Sequence, residues 1–265
     1  IGLQVTGLAG RGRANVVNFA VRENRLLLPH LPEAFEGYTL LQHSDLHFDC
    51  LPEFPERLAQ RVAGLEYDLC VLTGDYRFLT YGPHEAAMDG LARLCEVLQH
   101  DVYAVLGNHD SIVMARPIEA LGVRLLMNEN VPLQRGDATV HLAGIDDPHY
   151  FSAHNLAQAY EGIPDESVSI LLAHSPEIYR RAAYVGFDVM LCGHTHGGQI
   201  RLPGTPALTY NSAAPRYTGV GGWTFDLMQG YTSAGTGSSI YPARFNCPPE
   251  ITLHRLVREP AAQAQ

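Results

Sequence analysis

Val102-Tyr103-Ala104-Val105-Leu106-Gly107-Asn108-His109-Asp110 decides how the chain is to be read. An apolar run of strand length stops at a glycine, and residues able to bind metal or carry protons follow at once. The same design recurs on both sides. Tyr38 to His43 runs into Ser44-Asp45-Leu46-His47, and Asp68 to Leu72 runs into Thr73-Gly74-Asp75. Val168 to Leu172 runs into Ala173-His174, and Phe187 to Leu191 runs into Cys192-Gly193-His194-Thr195-His196. Stretches with apolar residues near helical spacing lie between them. Pro52 to Leu65 carries Phe54, Leu58, Val62 and Leu65, and Pro83 to Leu98 carries Ala87, Leu91, Leu94 and Leu98. Ile112 to Leu121 and Pro176 to Ala183 are shorter candidates. Strand alternating with helix predicts an α/β layered fold, and polar residues just past the strand ends place the site at the carboxyl edge of the sheet.

Outside this centre, Val16 to Val21 and Leu26 to Leu31 flank the polar Arg22-Glu23-Asn24-Arg25 and predict an N-terminal hairpin over about 15–31. From Gly197 the chain turns rich in Gly and Pro. Short β-like pieces at Gln199–Leu202, Thr224–Met228, Gly230–Ser233 and Ile251–Leu256 predict a β-rich part over about 197–257, forming a second sheet packed on the first. No linker or internal repeat breaks the sequence, so a single domain over 1–265 is expected, with Glu259 to Gln265 as a frayed end.

The 265 residues are 46% hydrophobic and 17% charged, which excludes a disordered chain. Eighteen Lys and Arg against 28 Asp and Glu leave a net charge of -10, so a nucleic-acid partner, nuclease substrates included, is not expected. Cys50, Cys70, Cys95, Cys192 and Cys247 form an odd set without C-x-x-C and read as free thiols in a reducing, cytoplasmic setting. No apolar run approaches the roughly 18 residues of a membrane span. Peripheral membrane contact stays open through the tail aromatics Tyr210, Tyr217, Trp223, Phe225, Tyr231 and Tyr241. The chain opens without Met, as expected if a segment upstream was removed or left out, and nothing in it specifies an oligomeric state.

The polar residues at the strand ends are Asp45, His47, Asp75, Asn108, His109, His174, His194 and His196. Carboxylates, one amide and imidazoles form a mixed oxygen and nitrogen set that suits Mn²⁺, Fe, Zn²⁺ or Co²⁺. No Cys is among them, which argues against a structural zinc. Seven potential ligands exceed one coordination sphere and fit two ions sharing a bridge.

Asp45-x-His47, Gly74-Asp75, Gly107-Asn108-His109-Asp110, His174 and Gly193-His194-x-His196 resemble, in order, the signature of the calcineurin-like metallophosphoesterases, from about Thr39 to Ile200. Gly193 to Ile200 and the tail around Pro242-Ala243-Arg244-Phe245 and Pro248-Pro249-Glu250-Ile251 resemble a bacterial subgroup. That subgroup includes membrane-associated phosphodiesterases and the UDP-2,3-diacylglucosamine pyrophosphatase of lipid A synthesis.

The resemblance implies a four-layer α/β/β/α sandwich and two divalent ions, Mn first, with Fe, Zn, Co or Mg as alternatives. It assigns Asp45, His47 and His196 to one ion, Asp75 to the bridge, and Asn108, His174 and His194 to the other. His109 matches the residue that contacts the scissile phosphate or protonates the leaving oxygen. The activity implied is hydrolysis of a phosphodiester or pyrophosphate, lipid- or nucleotide-linked, by a metal-activated hydroxide. A non-catalytic binding scaffold of the same fold is the alternative class, and it would be marked by lost ligands.

One position departs from the family. The second block usually ends in an acid that orients the histidine matched by His109, and here it reads Gly74-Asp75-Tyr76-Arg77-Phe78. Weaker proton donation from His109 would favour good leaving groups. Asp110 is a poor replacement because neighbouring side chains point apart, and Arg77 either reaches a substrate phosphate or is solvated. His43 reads as core or as support for the ligands. His84, His100, His141 and His254 read as surface, His149 and His154 as surface or cleft mouth, and Cys192 as buried and apolar.

Overall fold

The computed structural model describes residues 7–258. The strand-then-polar blocks form β2 (Thr39–His43), β3 (Leu69–Leu72), β4 (Val102–Ala104), β8 (Ser169–Leu172) and β9 (Val189–Cys192). Every residue of β3, β8 and β9 is buried. Strands covered on both faces read as continuous apolar runs, and that is the pattern of a parallel sheet. β2, β3, β4 and β5 (Val123–Leu125) run parallel in one six-stranded sheet. β7 (Ala138–Gly144), β8 and β9 run parallel in the other, with β6 (Glu129–Arg135) antiparallel at its edge. β5 and β6 were not legible, because β5 is short and β6 alternates exposed and buried residues.

Three apolar cores define the layers. Leu40, Val71, Leu142, Ile170 and Leu191 pack between the sheets. Leu41, Cys70 and Leu72 point the other way, onto α2 (Phe54–Val62), α3 (Glu85–Cys95) and α4 (Ala115–Ala120). This is the period-2 alternation of a strand. On the far side, Leu171 and Met190 pack on α5 (Leu156–Tyr160) and α6 (Tyr179–Val185). The expected four-layer α/β/β/α sandwich is therefore present. Helix α2 shows why the sequence complies. Phe54, Leu58 and Val62 recur every fourth residue and are buried, each contributing about 1.5–3 kcal/mol. Helix α6 ends at Gly186, whose φ of 117° suits a residue without Cβ.

Two expectations are corrected. Residues 15–31 do not form a hairpin. α1 (Ala9–Asn15) is followed by one unbroken strand, β1 (Ala20–Leu28), which runs straight through Arg22-Glu23-Asn24-Arg25. It pairs in parallel with β12 (Glu250–Arg258), from Ala20 opposite Glu250 to Leu28 opposite Arg258. The polar stretch is the largely exposed middle of an edge strand, and its central pair Glu23-Asn24 has no glycine to form the Asn-Gly or Gly-X turn of a two-residue hairpin.

The tail does not form a separate second sheet either. β10 (Gly221–Phe225) and β11 (Met228–Thr232) extend the sheet of β7 to β9, while β12 inserts into the first sheet between β1 and β2. Residues 199–202 contribute only a single bridge, Ile200 to Phe245, and 224–228 straddle the turn of β10 and β11. The insertion of β12 also buries His254, expected at the surface. It lies between Gln42 Oε1 at 2.8 Å and Asn24 Nδ2 at 3.0 Å. His100 is exposed, and His84 and His141 are half-buried. The expected frayed end, 259–265, lies outside the described residues.

Candidate metal centre

The loops after β2, β3, β4, β8 and β9 leave the two sheets at the same edge and meet there. Five of the residues they carry have left-handed backbones: Asp45 (φ 54°), His47 (42°), Asp75 (62°), His194 (71°) and His196 (50°). Each costs on the order of 1 kcal/mol for a residue with a side chain, so the arrangement is held by its surroundings. The N–H groups of Asp45 and His47 donate to Gly74 O (2.9 Å) and Asp75 O (3.0 Å), and Thr236 N donates to Ser44 O (2.7 Å). The buried Asp110 carboxylate accepts from the backbone of Asp75 (2.7 Å), Gly107 (2.8 Å) and Tyr76 (2.9 Å). It braces two loops, with both of its oxygens engaged by backbone N–H groups. Gly107 has no room for a side chain, since a Cβ there would come within 2.6 Å of Asp75 N.

The imidazoles are oriented from behind. His47 Nδ1 donates to Arg77 O (2.7 Å), His174 Nδ1 to Thr73 O (2.8 Å) and His194 Nε2 to Asn211 O (2.9 Å). The opposite nitrogens then face inward, as those of metal-binding histidines usually do. His174 Nε2 lies 3.3 Å from Asp75 Oδ2, and Asn108 Oδ1 lies 2.9 Å from His174 Nε2 and 2.8 Å from His194 Nδ1. His196 Nε2 is 3.4 Å from Asp45 Oδ1 and 3.2 Å from His47 Nε2, which is 3.8 Å from Asp75 Oδ2. Two groups have donor atoms close enough to share an ion: Asp45, His47 and His196, and Asp45, Asp75 and His174. All seven residues predicted as ligands converge.

Burial sets the protonation states. It lowers His47 and His194 to about 4 and His196 further, so all three are neutral at pH 7. Burial pushes Asp45 up to about 6, with the Asp75 charge adding to the rise. Burial also pushes Asp75 upward, but His174, His109 and His47 outweigh it and hold the carboxyl well below its usual range. Burial opposes charge on His174, yet Asp75 and Asp45 raise it to about 10. The carboxylates thus draw positive charge into the centre.

His109 sits at the rim, its side chain 21% exposed. Its N–H donates to Asp75 Oδ1 (2.8 Å), its carbonyl accepts from Arg77 Nε (2.6 Å), and its Nε2 lies 3.9 Å from Asp75 Oδ2. Both readings of Arg77 are corrected. The guanidinium is buried, donating to the carbonyls of His109, Gly82 and Thr80, because the loop folds its own C=O groups around it. Phe78 packs edge-on against His47, ring centroids 6.2 Å apart. Position 78 therefore supports a predicted ligand. His43 is buried core beside Thr236, at 3.4 Å. His149 packs on His194 with ring centroids 4.1 Å apart, whereas His154 turns away to Arg181.

Three residues at the centre were given no role from the sequence. Arg244 is fully buried, donates to the carbonyls of Ala234, Gly235 and Gly237, and reaches His196 Nδ1 at 3.4 Å. Glu177 and Asn211 support the His194 side. Glu177 alone was findable, three residues after His174.

Two packed sheets with buried Asp and His side chains and a half-buried Asn at their strand ends fit the class of metal-dependent hydrolases. Residues 38–198 match the model of the calcineurin-like phosphoesterases, and the chain belongs to that family. It is 29% identical over 227 residues to the uncharacterized metallophosphoesterase YkoQ of Bacillus subtilis, covering 82% of this chain and 83% of that one. It is 29% identical over 232 residues to the phosphodiesterase YaeI of Escherichia coli, covering 83% and 82%. Among solved structures, the phosphopantetheinyl hydrolase PptH of Mycobacterium tuberculosis aligns with a TM-score of 0.48 at 12% identity, over 87% of this chain and 100% of that one. The chain is a phosphoester hydrolase.

Proposed function

We propose that the protein hydrolyses a phosphodiester or pyrophosphate bond at a pair of divalent metal ions, manganese first, in a substrate that carries an apolar group. The observation that carries this reading is the donor set. Inward nitrogens of imidazoles, fixed by carbonyls behind them, meet two carboxylates and an amide oxygen. Asp45, His47 and His196 would hold one ion and Asn108, His174 and His194 the other, with Asp75 between. Bound there, divalent ions supply an activated water and neutralise charge on the phosphoryl oxygens.

The chain's own residues do the rest. Asp75 holds the His109 backbone through its Oδ1, and Arg77 holds the same residue from the other side, so the imidazole stays at the rim of the centre. From there it would contact the scissile phosphate or donate a proton to the leaving oxygen. With phenylalanine at position 78 in place of an acid that would orient the ring, that donation serves good leaving groups best. Keeping all seven ligand residues sets the chain apart from a non-catalytic scaffold.

Substrate class is read from the cavity over the centre, of about 260 Å³. Asp75, Asn108, His109 and His194 form its floor, while Ile200, Tyr210, Ile240 and Tyr241 line its wall. Ile240 is 91% exposed and holds a φ of 63°, unfavourable for a β-branched residue. Leu208, in the loop that supplies Tyr210, is 79% exposed. Such a rim supports a lipid-linked phosphoester, including a diacylated sugar nucleotide, taken from a membrane surface. No helix among the described residues is long and apolar enough to cross a membrane.

The test is metal analysis followed by a substrate panel. Chelation should abolish cleavage of an aryl phosphodiester, and Mn²⁺ should restore it best. Diacylated substrates should outperform their deacylated forms in kcat/KM. Full activity in metal-free protein sinks the whole reading, and equal kcat/KM with and without acyl chains sinks the lipid part.

A further inference from the structure

The second wall of the centre is held by one carboxylate outside every motif. Glu177 uses both of its oxygens. Oε2 accepts from His149 Nδ1 at 3.0 Å, and Oε1 accepts from the Ala213 N–H at 2.9 Å. These partners belong to two different loops, one after β7 and one between β9 and β10. Both loops converge on His194. The His149 ring packs on the His194 ring, and Asn211, two residues before Ala213, accepts the His194 Nε2 proton at 2.9 Å. Asn211 presents that carbonyl from a left-handed backbone with φ 49°, a conformation that needs a tether. Ser175 caps the short turn that carries Glu177 and fixes its base.

We propose that Glu177 is a positioning residue that sets which nitrogen His194 turns to the centre. By holding Asn211 it keeps the proton on His194 Nε2, and so keeps the Nδ1 lone pair facing Asn108 and His174. By holding His149 it keeps that ring packed against one face of the His194 ring. A polar group behind a histidine ligand typically contributes 10–100-fold to metal affinity. The inference rests on the reading of His194 as a metal ligand and adds what fixes it there.

Mn²⁺ titration calorimetry on metal-free protein, together with long-range ¹H–¹⁵N NMR of the histidine rings, tests it. In Glu177→Ala, one of two Mn²⁺ equivalents should weaken by roughly 10–100-fold while the other stays within about 3-fold. The His194 signals, Nε2-protonated in the parent, should broaden to a mixture of tautomers. Glu177→Gln keeps an acceptor for Ala213 and donates to His149, so it should restore both readouts. A Glu177→Ala protein with parental affinities and a parental His194 tautomer overturns the proposal. So does a Glu177→Gln protein as impaired as the alanine variant while folded by circular dichroism. A parent that binds one ion contradicts the paired-ion reading instead, and the His194 tautomer then decides the role of Glu177 alone.

Discussion

Asp110 should matter more for holding the loops than its motif position suggests. Its buried carboxylate accepts three backbone N–H groups, from Asp75, Gly107 and Tyr76, at 2.7, 2.8 and 2.9 Å. Asp110→Ala leaves all three donors buried and unpaired. Each such loss costs about 1–3 kcal/mol, so the variant should lose about 3–9 kcal/mol, against a typical total of about 5–15 kcal/mol. Asp110→Asn keeps one oxygen. Turned toward Asp75 and Gly107, that oxygen still serves two donors and leaves the amide group facing Tyr76 N–H, for a loss of about 1–3 kcal/mol. Urea unfolding at pH 7 of the metal-free proteins measures both. Activity should fall in the same order, since Asp75 keeps its left-handed backbone only while its N–H is tethered. An alanine variant within about 1 kcal/mol of the parent would refute the argument, because three unpaired buried donors cannot cost so little.

Three further outcomes are expected. Asp75→Asn should lose at least one metal per chain and most activity, while Asp165→Asn, in an exposed loop, should lose neither; elemental analysis and turnover decide between them. His109→Ala should keep both metals yet lower kcat by roughly 10²-fold, and more for poor leaving groups than good ones; an equal loss across the series assigns the ring to phosphate contact instead. Metal-free protein carries a proton on His174 up to about pH 10, so Mn²⁺ binding at pH 8 should release about one proton and tighten as pH rises. Calorimetry in buffers of different ionisation enthalpy reads this, and buffer-independent heats would contradict it.

The layered α/β class and the convergence of the seven side chains proposed as metal ligands and His109 were legible in the sequence. The reason is local. An apolar run reports a strand covered on both faces, and the polar residue after its glycine must stand at the strand's carboxyl end whatever the strand's neighbours. The glycines carried similar information, since Gly107 leaves space that no side chain could share. Pairing partners were not legible. β1 and β12 meet from opposite ends of the chain, and the polar middle of β1 looks like a turn until β12 lies beside it. His254 looks like a surface residue for the same reason, and its burial follows from where β12 inserts.

Charged residues were the other failure. Arg77 and Arg244 are buried because carbonyls from loops folded around them replace water, and a linear sequence does not show which carbonyls will be near. Glu177 belongs with them, bridging loops that lie apart in the chain. What the sequence by itself determined is the chemistry available at each strand end, because that depends on residue type and burial period alone. What only the tertiary structure decided is which strands stand side by side and which buried charges hold the loops, because both depend on contacts between residues distant in sequence.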